Sequence, residues 1–420
     1  MKCLVVGSGA REHVITGALL RDPEVESVVV APGNAGIAEL VKCVPLDVSD
    51  PVAIGDLATQ LDVDLVVIGP EIPLMAGAAN ALADRGIACF GPTREAALIE
   101  GSKAFCKEVM AEAGIPTAMA RVCTNAAQAQ DALDTFGAPY VVKDDGLAAG
   151  KGVVVTADRG EALAHAETCF EVGGTVVIEE FLDGPEVSLF GISDGTTVVA
   201  LQPAQDFKRV GDNDEGPNTG GMGAYSPLPW LDEGVVSEVT ERVLQPMADA
   251  MKNRGTPFVG VLYAGLAMTT RGIRVIEFNA RFGDPETQVV LSRLLTPLGQ
   301  FLYSAATEQL ADFAQLRWEQ GFAVNVVIAA EGYPVKPVVG VPILGLEMLE
   351  ADPDLSVFHA GTTMNEGKLV TSGGRVLSVT AHAPTLALAR ERAYEGVAEI
   401  EVSGSHFRRD IALSACSTEA

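Results

Sequence analysis

The sequence predicts a multidomain chain that combines α/β and α+β architecture. Three observations carry this. The chain opens with a β-α-β pattern: an apolar strand at Lys2–Gly7, a helix running to Leu20 and a second strand at Val25–Val30. Its 420 residues imply about two to four domains with real cores. Beyond Glu186, strands follow one another without a helix between, at Val187–Ile192 and Val198–Gln202, then at Val259–Met268 and Ile273–Phe278.

Hydrophobic residues make up 48% of the chain, which excludes a mainly disordered protein. No apolar run approaches the roughly 18 residues of a membrane span. Met1–Gly7 reads as a strand rather than a signal peptide. Seven scattered cysteines without a C-x-x-C pair read as reduced thiols of a cytoplasmic protein. The net charge of −27 argues against nucleic acid and anionic membranes as partners. It also repels phosphates at long range, so a phosphate site here must be locally basic or bridged by a metal.

The first strand ends in Gly7-Ser8-Gly9-Ala10-Arg11-Glu12. This fails the dinucleotide fingerprint G-x-G-x-x-G, because Glu12 stands at the third glycine and no acid closes the second strand. The helix N-terminus and Arg11 still suit one phosphate, so a phosphosugar fits better than a dinucleotide. Later strands end in similar Gly/Pro loops. The second runs into Pro32-Gly33-Asn34, Asp64–Ile68 into Gly69-Pro70-Glu71, and Ala88–Phe90 into Gly91-Pro92-Thr93. In an open parallel sheet these carboxyl ends share one crevice.

Glu95–Glu112 is helical, with an interruption at Gly101-Ser102-Lys103; Lys103 alone reads most simply as a solvated helix charge. A strand at Ala120–Cys123, a helix at Ala126–Phe136 and a strand at Tyr140–Lys143 follow. The segment from Lys143 to Gly152 is not a P-loop, since Lys151 precedes Gly152 rather than Ser or Thr. It reads as a glycine-rich hairpin returning at Val153–Thr156. Its backbone amides, with Lys143 and Lys151, can cover phosphates; a solvated hairpin is the plainer alternative. A helix at Gly160–Phe170 and a strand at Thr175–Glu180 lead into Phe181-Leu182-Asp183-Gly184-Pro185-Glu186. Main chain leaving a strand can read one edge of adenine, and Glu186 suits ribose hydroxyls.

Asp206–Ser226 has neither helical nor strand periodicity and holds five glycines and four acids beside Lys208 and Arg209. So long a loop is usually functional or disordered, and the interleaved Phe207, Val210, Met222 and Tyr225 argue against disorder. A surface Ω-loop is the alternative. A helix is expected over Glu233–Asn253. The sharpest chemical signal is the strand that carries Glu277, Asn279 and Arg281 on one face, with Ile276 and Phe278 buried on the other. A carboxylate and an amide oxygen at that spacing suit a hard cation such as Mg²⁺. The tail predicts strands at Ala323–Ala329 and Val376–His382, a hairpin turn at Thr371–Arg375 and a last helix at Pro384–Ile400. Arg408-Arg409-Asp410 reads as a surface ion cluster.

Nine segments in this order resemble the glycinamide ribonucleotide synthetases of the ATP-grasp superfamily over nearly the whole chain. They include V-V-G-S-G-A-R-E-H, V-V-K-D-D-G-L-A-A-G-K-G-V, G-P-N-T-G-G-M-G-A-Y-S-P and I-E-F-N-A-R-F-G-D-P-E-T-Q. The resemblance implies a Rossmann-like N-terminal domain over 1–103 and a larger ATP-grasp subdomain over 104–122 and 190–325. A smaller lid subdomain covers 123–189, and a small mixed C-terminal domain covers 326–420. It implies ATP-dependent ligation of glycine to 5-phosphoribosylamine through glycyl phosphate, in purine synthesis, by a cytoplasmic monomer. ATP is the co-substrate, with Mg²⁺ or Mn²⁺.

Carried over by position, Lys103, Lys143 and the lid hairpin with Gly146, Gly150, Lys151 and Gly152 take the ATP phosphates. Glu179, Glu180, Phe181 and Leu182 take adenine, and Glu186 the ribose. Glu277 and Asn279 take the metal. Arg281, Lys208 and Asp206 are the catalytic candidates. Gly9, Arg11, Glu12, Asn34, Glu71, Asn218, Thr219, Gly220, Gly221 and Asp284 are the substrate candidates.

The chain departs from the family pattern at Ala10, where glycine is usual, at Phe207, where histidine is usual, and at Asp144, where a small residue is usual. Val259–Met268 also lacks the second metal carboxylate that many ATP-grasp enzymes carry on that strand. Another ATP-grasp carboxylate–amine ligase and a non-catalytic nucleotide-binding module are the remaining readings. A dehydrogenase is disfavoured by the failed fingerprint.

Overall fold

The computed structural model describes residues 1–147, 152–349 and 352–418. The opening β-α-β unit belongs to a five-stranded parallel sheet ordered Lys42–Cys43, Ser27–Pro32, Lys2–Gly7, Leu65–Ile68, Ala88–Phe90. The second strand starts two residues later than predicted, because Val25 N–H closes a turn on the Asp22 carbonyl at 3.0 Å. The strand order reverses beside Lys2–Gly7, so its loop and the one after Leu65–Ile68 open into one crevice.

The predicted helix interruption is a cap. Helices Arg94–Gly101 and Lys103–Glu112 meet at Ser102, whose Oγ accepts from the Phe105 N–H at 3.1 Å. A four-stranded antiparallel sheet follows, ordered Ala120–Cys123, Val176–Glu179, Tyr140–Asp144, Val153–Thr156. Helices Ala126–Phe136 and Arg159–Glu171, capped by Asn125 and Asp158, cover it and close a core of its own around Leu133, Val142 and Ile178. This unit is called the lid below.

The body is another four-stranded antiparallel sheet: Val198–Ala200, Glu186–Asp194, Val259–Thr269, Gly272–Asn279. By sheet membership Ala120–Cys123 goes with the lid, and Glu186 already starts a body strand. The expected helix over Glu233–Asn253 begins at Val235 and is wound as a π turn over Thr240–Leu244. The turn stands just ahead of Pro246, which has no N–H to continue an α ladder.

The segment from Asp206 to Ser226, read as structureless, is the long excursion of a β-hairpin. Gln205–Asp206 pairs with Gly223–Ser226, and Arg209 bridges to Asn218. These two strands form one edge of a five-stranded antiparallel sheet continued by Phe322–Ala329, Arg375–Ala383 and Leu355–His359. The helix Leu386–Glu399 packs its Leu386, Ala389, Ala393 and Val397 stripe on that sheet.

Three expectations fail here. Thr371–Arg375 is not a hairpin turn. Lys368–Thr371 pairs with Thr362–Asn365 while Arg375–Ala383 lies in the larger sheet, so the segment carries the chain from one sheet to another. Ile276 is not core. The register slips between Gly265 and Leu266, leaving Ile276 as the extra residue of a bulge at the cavity wall, and the buried series shifts from Val275 to Phe278. Arg408 is not on the surface, being 1% exposed.

Candidate active site

A cavity of about 1400 Å³ runs between the N-terminal sheet, the lid and the body. Among the described residues every predicted site residue lines it except Asn34 and Gly221. Gly150 and Lys151 lie outside the described residues.

At the lid end, the Glu179 carboxylate is buried between two ammonium groups, Lys143 at 2.9 Å and Lys107 at 3.0 Å. Burial pushes its pKa up, but the two lysines outweigh this and hold it below the ordinary carboxylate range. Burial pulls Lys143 down, yet Glu179 and Glu277 raise it overall. Burial lowers Lys107. The Glu180 N–H bonds the Met119 carbonyl at 3.0 Å, and its carboxylate pairs with Arg271 at 3.2 Å. Its side chain is thus structural. Lys103 Nζ donates to the Gly146 carbonyl at 2.9 Å, and Asp145 accepts from the Ala104 N–H at 3.0 Å, so the helix start is stapled to the base of the hairpin.

Glu277 and Asn279 face the cavity, and neither side chain makes a hydrogen bond or ion pair among the described residues. Two uncommitted oxygen donors suit a hard cation whose remaining ligands come from a polyphosphate. Among the described residues no three His, Cys, Asp or Glu side chains are placed to hold a metal ion together, so the rest of a cation's shell would come from the ligand.

In the middle of the cavity Lys208 lies 2.8 Å from Asp206 and 2.8 Å from Glu186. Burial, with Glu286 and Glu186 nearby, pushes the Asp206 carboxyl up to about 7 against the pull of Lys208. Lys208 is raised, since its two carboxylate partners outweigh the cost of burial. Glu186 is lowered, by Lys208 first.

At the N-terminal end Arg281 lies 2.9 Å from Glu100 and 3.5 Å from Glu71. Burial opposes its charge, but these carboxylates raise its pKa overall. Burial raises Glu100. The groups expected to take a phosphate are already engaged. Glu12 accepts from the Gly9 N–H at 2.5 Å and from Arg11 Nε at 2.6 Å, while Arg11 Nη1 donates to the Phe282 carbonyl at 2.9 Å. Glu12 thus closes the helix N-terminus with the protein's own anion.

Asn34 Nδ2 donates to the carbonyls of Ser8 at 2.8 Å and His359 at 2.7 Å, which ties two loops to a C-terminal strand beside a smaller adjoining cavity. Gly221, at φ 113°, presses on Pro285, where a Cβ would sit 2.3 Å from Cδ.

Family sequence models for phosphoribosylglycinamide synthetase match along the chain: the N domain at residues 1–100, the ATP-grasp (A) domain at 101–287 and the C domain at 323–414. The chain belongs to the phosphoribosylglycinamide synthetase family. Phosphoribosylamine–glycine ligase of Streptomyces coelicolor is 59% identical over 417 residues, covering 99% of each chain. That of Mycobacterium leprae is 54% identical over 421 residues, covering 99% of this chain and 98% of its own. The crystal structure of the Thermotoga maritima phosphoribosylamine–glycine ligase aligns with TM-score 0.85 at 32% identity, covering 98% of this chain and 100% of that one. A biotin carboxylase domain of Hydrogenobacter thermophilus 2-oxoglutarate carboxylase, at TM-score 0.74 and 18% identity over 97% of this chain and 91% of its own, shares the fold alone.

The chain is a ligase with an ATP-grasp core, and its departures from the family pattern at Asp144 and Phe207 find places in the structure. Asp144 lies on the strand face away from the cavity, its Oδ1 toward Gly174. Phe207 lies under the Arg408 guanidinium, 4.9 Å from ring centroid to Cζ. Arg408 in turn holds Asp214 at 2.7 Å and Asp410 at 2.6 Å, so it pins the excursion to the C-terminal segment. Sequence reasoning missed Lys107, Glu100, Glu286 and Arg375. Arg375 lines the cavity and donates to the Gly220 carbonyl at 2.8 Å. Its only signal was the glycine pair before it.

Proposed function

We propose that this cavity ligates glycine to 5-phospho-D-ribosylamine, giving glycinamide ribonucleotide, ADP and phosphate through glycyl phosphate. The observation that carries the mechanism is Lys208 with Asp206 and Glu186, midway between the Glu179–Lys143 end and the Arg281–Glu71 end of one continuous cavity. A carboxylate is a poor electrophile because oxide leaves badly. Attack of a glycine carboxylate oxygen on the γ-phosphorus of ATP forms the acyl phosphate and frees ADP. The amine nitrogen then attacks the acyl carbon, and phosphate departs with the C–O electron pair.

In this reading Lys103 and Lys143 hold the polyphosphate, the main chain at 179–182 holds adenine, and Arg281 meets the transferring phosphoryl group. Lys208 orients the glycine carboxylate, and Asp206 accepts the proton that the attacking amine must lose. Glu277 and Asn279 would hold Mg²⁺ or Mn²⁺, which neutralises polyphosphate charge when bound. Arg375 pairs with Asp284 at 3.4 Å, a looser contact than Arg11 with Glu12 at 2.6 Å, and it is the more exposed of the two, so it is the cation we assign to the phosphosugar's phosphate. The four-part division belongs to the same proposal, with the lid drawn at 120–185 by sheet membership, as does a monomeric cytoplasmic enzyme.

The test is ADP release with glycine and freshly made phosphoribosylamine, against formate, bicarbonate and other amino acids. Release that ignores glycine would sink the reading.

A further inference from the structure

We propose that Lys107, which lines the same cavity, is a positioning residue for the nucleotide: it supplies the unbalanced charge that Lys143 presents to the phosphates, while its own hydrogen bonds stay on protein oxygens. The proposal rests on the assignment of the lid end of the cavity to ATP.

Lys107 Nζ donates to Thr117 Oγ1 at 2.8 Å and to the Ala118 carbonyl at 3.1 Å, and forms an ion pair with Glu179 Oε1 at 3.0 Å. Both of its hydrogen bonds go to protein oxygens, and Glu179 Oε1, which accepts no hydrogen bond, meets it as a charge. Lys143 differs. It meets Glu179 Oε2 at 2.9 Å and the Ile276 carbonyl at 3.1 Å, two oxygens for three N–H bonds, which leaves one for a ligand.

The three side chains sum to one positive charge. Without Lys107, Lys143 and Glu179 become a neutral pair, which leaves Lys103, bonded to a carbonyl, to draw a polyphosphate to a chain of net charge −27. Lys107 also braces the metal-side strand, because Thr117 Oγ1 passes the contact on to the Val275 carbonyl at 2.6 Å, next to the Ile276 bulge. A charge-setting role and a bracing role predict different outcomes for the same set of variants.

Lys107→Met, Glu179→Gln, the double variant and Lys107→Arg are compared in KM for ATP, kcat and thermal unfolding. Lys107→Met should raise KM for ATP about tenfold or more, the order expected when a unit charge several ångströms away is lost at an effective dielectric of about 20. Its kcat should change less. The double variant regains one net positive charge and should return KM to within about threefold of the parent. Lys107→Arg should stay near the parent.

If the double variant is as impaired as Lys107→Met, the role is bracing and the proposal falls. An unchanged KM for ATP in a folded Lys107→Met enzyme that still ligates glycine overturns it while leaving the ATP assignment intact. Should Lys107→Met fail to fold, Glu179→Gln decides alone. It must lower KM for ATP, and an unchanged or higher value refutes the proposal.

Discussion

Asp206→Asn tests the proton-accepting role at the centre of the cavity. The Asp206 side chain is 6% exposed and sits 2.8 Å from Lys208. Burial raises its carboxyl from 3.8 to about 7. A base with a pKa near the working pH is well matched to take a proton in the transition state. The kcat/KM of the parent should therefore rise with pH along a limb centred near 7. Asparagine keeps the shape and cannot accept the proton, so the limb should vanish and kcat/KM fall by about 10²–10⁴.

The same shift sets a stability slope. An acid whose folded pKa is raised favours the protonated folded state, so its contribution is fully present below the unfolded value and is lost as pH rises through about 7. At about 1.36 kcal/mol per pH unit the ceiling is about 4 kcal/mol, and Asn should flatten that slope between about pH 4 and 7. Initial rates of ADP release from pH 5.5 to 9 (roughly two units either side of neutrality), with urea unfolding at both ends, read both effects. A variant that keeps its rate and its limb would refute the assignment of Asp206 as the base.

Glu277→Gln should lower turnover by about 10² or more with unfolding unchanged, because no hydrogen bond is lost; near-normal activity at limiting Mg²⁺ would disprove the metal role. Arg408→Met should cost about 2–3 kcal/mol, discounted from the range for a fully buried pair because Asp214 is exposed, and should raise KM for glycine as the excursion loosens. Urea unfolding and initial rates check it. His13 and His359 are held neutral by burial, at about 3 and about 4, and the His359 N–H donates to His13 Nδ1 at 2.9 Å. Lowered bases stabilise the fold above their unfolded pKa and lose that contribution as pH falls, so Tm should drop between about pH 6.5 and 4 and His13→Phe should blunt the drop.

Local structure was largely legible. Helix stops and starts are written in adjacent residues, as at Ser102, Asn125 and Asp158, and strands announce themselves by short apolar runs. What escaped depends on partners distant in sequence. Lys107 looks like any charge on an amphipathic helix until the fold brings Glu179 to it. Arg408 looks like surface until Asp214 and Phe207 close over it. The bulge at Ile276 is a register choice between two strands and leaves no mark in composition. Glu12 was seen as a gap in a fingerprint, whereas its carboxylate fills the place a ligand's phosphate would take.

In their sheet the strands at Gln205–Asp206 and Gly223–Ser226 pair outward with Phe322–Ala329, which is in turn held by Arg375–Ala383. The N-terminal sheet and the lid can each form as soon as they leave the ribosome. The excursion with Lys208 touches the earlier body strand through Glu186, but it has no sheet to close on until roughly a hundred more residues have been made, and Arg408 fastens it later still. A growing chain can therefore acquire a nucleotide cleft well before it acquires the groups that join the two substrates. A polypeptide cut short before Phe322 would be expected to bind without ligating.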